Sequence, residues 1–224
     1  RVIHGQTDRI GRGMGAFASR ATTMTGSAVH IAGLALNEKI RTAAAPILQT
    51  TADALVVTDG SIGRIDGTGP SLNVAGLARE LAREGAAPLA AEATFNSTRM
   101  VYPYGIHFVV ARVDLETAGT HIERFVIAFD IGKAINPMLI EGQFAGAVAQ
   151  GIGGALFEEF LYDDHGQPLS ASFADYLVPG LHEVPPIEII LREDAPSPLN
   201  PLGVKGAGEG GINGAGAAIA AAVD

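Results

Sequence analysis

An α+β fold, with mixed sheets, packed helices and two sub-structures, is what this 224-residue sequence predicts. Three observations carry that reading. Apolar residues repeat at helical spacing early in the chain (Val74, Leu77, Ala78, Leu81), whereas residues 106–113 and 122–129 are β-branched and aromatic runs of the kind that build strands. Residues 86–98, between the two regimes, keep no sustained period and read as a joint, so residues 1–90 are assigned to a smaller α/β unit and residues 91–224 to a larger α+β unit. Asn136-Pro137 then starts a long helix, because Asn can accept from a free backbone N–H and Pro sits where no N–H is missed.

From the N-terminus, Val2 and Ile3 read as the end of a strand, followed by a loop in which Gly11, Gly13 and Gly15 alternate with Arg12 and Met14. A Ser/Thr-rich run to Ser27 leads into a helix holding Val29, Leu34, Leu36 and Ile40, with Thr25 or Ser27 as its cap and Lys39 and Arg41 late in it. Residues 55–70 combine a Val/Leu strand with a turn at Asp66-Gly67, and residues 73–84 form an amphipathic helix closed by Gly85. In the larger unit, Thr117-Ala118-Gly119 suits a hairpin or short loop between the two strands.

The helix predicted over 138–160 carries glycines at 142, 146, 151, 153 and 154. Each costs roughly 1 kcal/mol relative to Ala, so either a packed helix or a ligand must come close to that backbone. A turn at 163–166, a strand at 187–191 and a Pro-punctuated loop at 196–201 lead into a glycine-rich segment and a helix from about Asn213. Both ends read as those of a piece of something longer: the apolar run 217–223 would continue as a helix past Asp224.

Composition excludes several function classes. A net charge of −9, without a Lys/Arg stripe, offers no field for a nucleic-acid backbone. Without cysteine the chain holds no disulfide, thiolate-bound zinc or iron–sulfur cluster, which fits a cytoplasmic location. No apolar run approaches the roughly 20 residues a membrane helix needs. A hydrophobic fraction of 47% against 17% charged residues argues for a packed core rather than disorder.

Glu209 is the residue that most invites a chemical role. It stands among Gly206, Gly208, Gly210 and Gly211, where the lack of side chains would let a bulky cofactor and a substrate approach a lone carboxylate. The helix that follows would turn its N-terminal donors toward an anion; a solvated glutamate in a flexible turn is the alternative. Gln143 and Gln150 fall about 20° apart around a helix and share a face with Gly146, so their amides either meet a heteroaromatic ligand or simply face water. Gly11-x-Gly13-x-Gly15 lacks a helix opening inside the motif and is not a dinucleotide fingerprint. Its amides, with Ser19, Arg20, Thr25 and Ser27, could bind phosphate oxygens, or form an ordinary loop and cap. The six histidines show no metal-ligand spacing and no G-x-S-x-G elbow is present, so neither a zinc nor a serine hydrolase is indicated, and no side chain is assigned to a metal.

Four segments taken in order, 129–137 (from Phe129-Asp130-Ile131-Gly132 to Pro137), 141–154 (around Gln143), 172–179 (Ser172-Phe173-Ala174-Asp175-Tyr176 onward) and 198–210 (ending Lys205-Gly206-Ala207-Gly208-Glu209-Gly210), resemble one family. They look like signatures of the molybdopterin-dependent hydroxylases: xanthine dehydrogenases, aldehyde oxidases and oxidoreductases, and copper–molybdenum carbon monoxide dehydrogenases. The chain is similar to the C-terminal portion of their molybdenum-binding large subunit, which implies a fragment of the molybdopterin-binding domain. The resemblance implies that Glu209 is the catalytic base and that Gln143 hydrogen-bonds the pterin. It implies that Gly13, Met14, Gly15 and Ser19, with Thr25, Gly26, Ser27 and Ala28, hold other parts of the pterin dinucleotide, and that Lys205, Gly206, Ala207 and Gly208 pass beside the metal.

The implied cofactor is molybdopterin with molybdenum, in its cytosine dinucleotide form, and the implied reaction is oxidative hydroxylation of an aldehyde or N-heterocycle. Implied partners are the N-terminal half of the molybdenum subunit, iron–sulfur and FAD-binding subunits, and a small-molecule substrate. The isolated chain is expected to be inactive. Two alternatives stand beside this reading: a fragment of a carbon monoxide dehydrogenase large subunit, and a non-catalytic assembly module whose Gly and Ala content serves close packing.

Overall fold

The computed structural model describes residues 2–11, 13, 15–97 and 99–224. The chain divides into two compact units, one formed by Thr25–Asn96 with Val2, the other by Ile3–Met24 with Ser97–Asp224. No strand pairs with Val2 and Ile3, so the strand expected there does not form and both side chains are exposed. Among the described residues no helix is long and apolar enough to cross a membrane.

In the first unit, α1 (Ser27–Ala44) turns Ile40 and Ala44 inward, where they and Leu48 bury against Leu55, Ile62 and Leu77. The cap expected from Thr25 or Ser27 does not form. Gly26 is already helical (φ −61°, ψ −43°), because the chain enters α1 through a π-helical turn, Thr22–Gly26, and no extended residue is left to act as a cap. The antiparallel sheet consists of β1 (Leu55–Thr58), β2 (Ser61–Arg64) and β3 (Leu72–Asn73). A turn forms at Asp66-Gly67, but the β1–β2 hairpin itself reverses at Asp59-Gly60, both at positive φ, as a two-residue hairpin loop requires. Then α2 (Val74–Arg83) begins where the Asn73 side chain accepts from the N–H groups of Ala75 and Gly76, and it ends before Gly85 at φ +72°.

The second unit is built on a mixed sheet of order β4-β5-β6, in which β4 (Tyr104–Val113) pairs antiparallel and β6 (Ile187–Arg192) parallel with β5 (Thr120–Asp130). Alternation along β5 sends Phe125, Ile127 and Phe129 into a core shared with Phe144, Val148 and Ile152 of α3 (Pro137–Leu156) and Ala215 and Ile219. The opposite face of β4 leaves Tyr104, Ile106, Phe108 and Val110 exposed. As the sequence indicates, Asn136 caps α3 by accepting from Leu139 N–H, with Pro137 in the first turn. The helix stops at Leu156, short of the expected residue 160, because the N–H groups of Phe157 and Glu158 both turn back onto the Gly153 carbonyl (2.9 and 2.8 Å).

The two explanations for the α3 glycines divide between them. A Cβ on Gly151 would strike that of Ala215, and one on Gly153 would strike the Glu158 carboxyl and Pro179, whereas at Gly142, Gly146 and Gly154 it would meet nothing within 4 Å. The single helix expected from Asn213 is two: α4 (Gly210–Asn213) and α5 (Ala215–Val223), separated at Gly214, against which the His107 ring lies.

Candidate active site

The site assembles at the end of β5. Past Asp130 the chain turns at Gly132 (φ +69°), and the segment around residues 203–205 runs beside it: Lys133 N–H donates to the Gly203 carbonyl (3.0 Å) and Lys205 N–H to that of Ile131 (2.9 Å). Buried Asn200 pins the same segment, its amide accepting from Val204 N–H (3.1 Å) and donating to Val204 C=O (2.9 Å). The Lys205 ammonium meets the Asp130 carboxylate at 2.7 Å and lies 5.3 Å from the centre of the Tyr104 ring. Partial burial pushes the Asp130 carboxyl up, but the Lys205 hydrogen bond, the Gly132 N–H and the Lys205 charge together hold it below the usual carboxylate range.

From Lys205 the chain passes Gly206 and Gly208, which leave room for a turn from the early part of the sequence. Ala18 (φ +52°) and Ser19 (φ +53°) adopt the left-handed conformation there, and a Cβ on Gly206 would fall 2.7 Å from the Ser19 carbonyl oxygen. Ser19 Oγ donates to Glu209 Oε2 (2.7 Å) and accepts from Glu209 N–H (2.9 Å). A Cβ on Gly208 would stand 3.6 Å from Ser19 Oγ and 3.8 Å from Gln143 Oε1, so the hydroxyl, the amide and the carboxylate-bearing loop converge at this glycine.

Glu209 stands at the front of α4 without a side-chain capping bond, its carbonyl accepting from Ile212 and Asn213 N–H (3.2 and 3.3 Å), and Gly210 and Gly211 let that short helix sit directly on Phe144 and Ala147 of α3. Behind it, His107 Nε2 lies 3.1 Å from the Gly210 carbonyl, an acceptor only, so Nε2 carries the proton. The other ring nitrogen is buried without a partner among the described residues, and the ring meets Phe125 and Phe129 edge-on at 5.9 and 5.6 Å. Burial lowers the His107 pKa from its ordinary value, the Gly210 bond pushing the other way.

Of the residues singled out by sequence, Ser19, Gln143, Gly206, Gly208 and Glu209 thus come together. Gln143 is exposed, beside Gly142 and Gly146 on the open face of α3. The Lys205 side chain turns to Asp130, and Ala207 packs against the core. Gly13 and Gly15 are exposed, with no atom within 4 Å of a Cβ built on either, and Met14 lies outside the described residues. Thr25, Gly26, Ser27 and Ala28 belong to the first unit at the start of α1, where Thr25 is exposed and Ser27 fully buried, its hydroxyl unpartnered among the described residues. Sequence reasoning missed His107, Asp130 and Asn200 as supports of the site. Asp130 and Asn200 lie within the 129–137 and 198–210 motif segments, and the alternation of β4 sets His107 on the inward face with Val109.

Among the described residues no three His, Asp or Glu side chains gather as a metal site. What the arrangement offers is a fixed carboxylate, an amide beside it and a helix face free of side chains at Gly142 and Gly146.

Comparison with known proteins gives this geometry a context. Residues 1–185 match a family model described as a molybdopterin cofactor-binding domain. The chain is 42% identical to the 6-hydroxypseudooxynicotine dehydrogenase complex subunit gamma of Paenarthrobacter nicotinovorans, over all of this chain and 29% of that protein. It is 30% identical to the carbon monoxide dehydrogenase large chain of Afipia carboxidovorans, over 93% of this chain and 26% of that one. Among solved structures, quinoline 2-oxidoreductase from Pseudomonas putida 86 superposes with a TM-score of 0.83 at 34% identity, covering 94% of this chain and 28% of its own. The chain therefore spans under a third of the length of these relatives.

Proposed function

This chain belongs to the molybdopterin cofactor-binding domain family of xanthine dehydrogenase and aldehyde oxidoreductase relatives, and on that premise we propose that it forms part of a molybdenum hydroxylase active site with Glu209 as general base. The observation that carries the proposal is the placement of the Glu209 carboxylate, held by Ser19, across Gly208 from the Gln143 amide.

The residues present suit a pterin. Side-chain-free backbone at Gly142 and Gly146 leaves space for a flat ring system, and an amide offers both a donor and an acceptor to its edge. In this reading Gln143 holds the pterin, the backbone of residues 15–19 takes part of the remainder of a cytosine dinucleotide form, and residues 205–208 line the metal's side. The molybdenum–pterin group, when bound, supplies the two-electron redox chemistry of hydroxylation. The chain supplies the acid–base part: Glu209, its carboxylate held in place by Ser19, accepts the proton released as a substrate carbon is hydroxylated.

An N-heterocycle or aldehyde is the proposed substrate class, a nitrogen heterocycle favoured by the names of the 42%-identical relative and of the quinoline enzyme. The remaining part of the large subunit, and iron–sulfur and FAD modules that carry electrons away, are the proposed partners in a cytoplasmic enzyme. The exposed Tyr104, Ile106, Phe108 and Val110 of one sheet face support a covering partner, since a contiguous apolar patch is rarely left to water. Glu209→Gln in the intact enzyme tests the base: molybdenum and pterin contents should stay at the unsubstituted level while kcat falls about 100-fold or more. Near-normal turnover would remove the assigned role.

A further inference from the structure

We infer that Ser19 is a positioning residue for Glu209, its hydroxyl committed to the carboxylate rather than to a phosphate of the cofactor. The inference rests on the reading of Glu209 as the base. A serine hydroxyl has one proton to give and two lone pairs to offer. The proton goes to Glu209 Oε2 at 2.7 Å, and a lone pair takes Glu209 N–H at 2.9 Å. Its donor capacity is thereby used, and it could not donate to a phosphate oxygen without releasing the carboxylate.

The surroundings enforce this posture. Left-handed backbone at Ala18 and Ser19 is uncommon outside glycine and persists only where neighbours hold it. Gly206 is such a neighbour, because any side chain there would collide with the Ser19 carbonyl and Cβ. Gly206 therefore seats residue 19, a duty separate from admitting a ligand. A single hydroxyl then fixes both the backbone amide and one carboxylate oxygen of Glu209. Oε1 is left without a hydrogen bond among the described residues, as the oxygen free to take a proton.

Ser19→Gly in the intact enzyme, with Glu209→Gln as comparator, decides the matter; glycine suits the positive φ, so the substitution removes the hydroxyl without backbone strain. Molybdenum and pterin contents should be unaltered, KM little changed, and kcat lower by about tenfold, the effect of one lost hydrogen bond to a charged group. Hydrogen–deuterium exchange in the peptide spanning Glu209 should accelerate, since that amide loses its acceptor, and this readout is independent of turnover. In the Ser19→Gly/Glu209→Gln double variant turnover should equal that of Glu209→Gln alone. Loss of molybdenum and pterin on Ser19→Gly would show the hydroxyl to be a cofactor ligand and overturn the inference, as would unchanged kcat or unchanged exchange. Normal turnover by Glu209→Gln would instead remove the base reading and the positioning role with it, while the exchange arm would still report whether Ser19 holds the Glu209 amide.

Discussion

Replacing Gly146 and Gly151 by alanine, one at a time, should move stability in opposite directions although both lie in α3. Alanine in a helix interior is favoured over glycine by roughly 1 kcal/mol, because less backbone freedom is lost on folding. At Gly146 nothing stands within 4 Å of the new Cβ, so the gain is undiminished, and the melting temperature of cofactor-free protein should rise by about 2–4 °C. At Gly151 the new methyl lands on Ala215, which is fully buried in the contact between α3 and α5. Overpacking of this kind costs about 1–3 kcal/mol, which cancels or outweighs the helical gain and leaves a protein that is no more stable or up to about 2 kcal/mol less stable. Ala215→Gly, by removing the opposing methyl, should restore much of that loss. Function separates the pair again: the Gly146 methyl projects into the open face beside Gln143, so the intact Gly146→Ala enzyme should hold cofactor about 5- to 150-fold more weakly, the equivalent of about 1–3 kcal/mol of overpacking. Differential scanning calorimetry and molybdenum analysis read the two effects. Full molybdenum occupancy in Gly146→Ala would refute the open face as the pterin seat, and a Gly151→Ala protein more stable than the parent would refute the packing argument.

Two further expectations concern the supports behind Glu209. His107 has its pKa lowered from 6.5, so the unfolded chain binds the proton more readily; stability of cofactor-free protein should be complete above about pH 6.5 and decline as pH falls toward the folded value. His107→Gln keeps a donor for the Gly210 carbonyl but cannot titrate, and urea midpoints followed across that window should lose part of their slope; an unaltered slope would exonerate His107. Lys205→Met strands the Asp130 carboxylate, the two side chains being 9% and 22% exposed, and should cost about 1–3 kcal/mol, reduced from the fully buried case by that partial exposure. Adding Asp130→Asn should recover most of it, as measured by denaturant unfolding. Because Asp130 titrates below its ordinary 3.8, the pair's contribution is present above that pH and disappears as pH falls through the folded value.

What was legible in the sequence was local. The Asn136 cap, Gly85 at a left-handed helix end and the β-branched runs of β4 and β5 are decided within a few residues by backbone chemistry, and each forms where its signal stands. Local reasoning failed where the outcome depended on a partner. Thr25 and Ser27 carry good cap chemistry, but a π-helical turn that includes Thr25 and runs straight into Ser27 leaves no non-helical residue to cap. The α3 glycines carry the same signal five times, and only their neighbours distinguish Gly151, pressed on Ala215, from Gly146, open to approach. His107 resembles any half-buried histidine until Gly210, from far along the chain, is placed against its ring nitrogen.

The sequence by itself determined the α+β class, most of the element boundaries and, through the motif pattern ending at Glu209, the family. Tertiary structure alone decided that β6 lies parallel to β5, that Lys205 faces Asp130, and that Ser19 meets Glu209 across 190 positions of sequence. The physical reason is one of range: caps, turns and periodicity act within one or two turns of backbone, whereas a hydroxyl can hold a distant carboxylate only after the folded core has brought the two segments within hydrogen-bond reach.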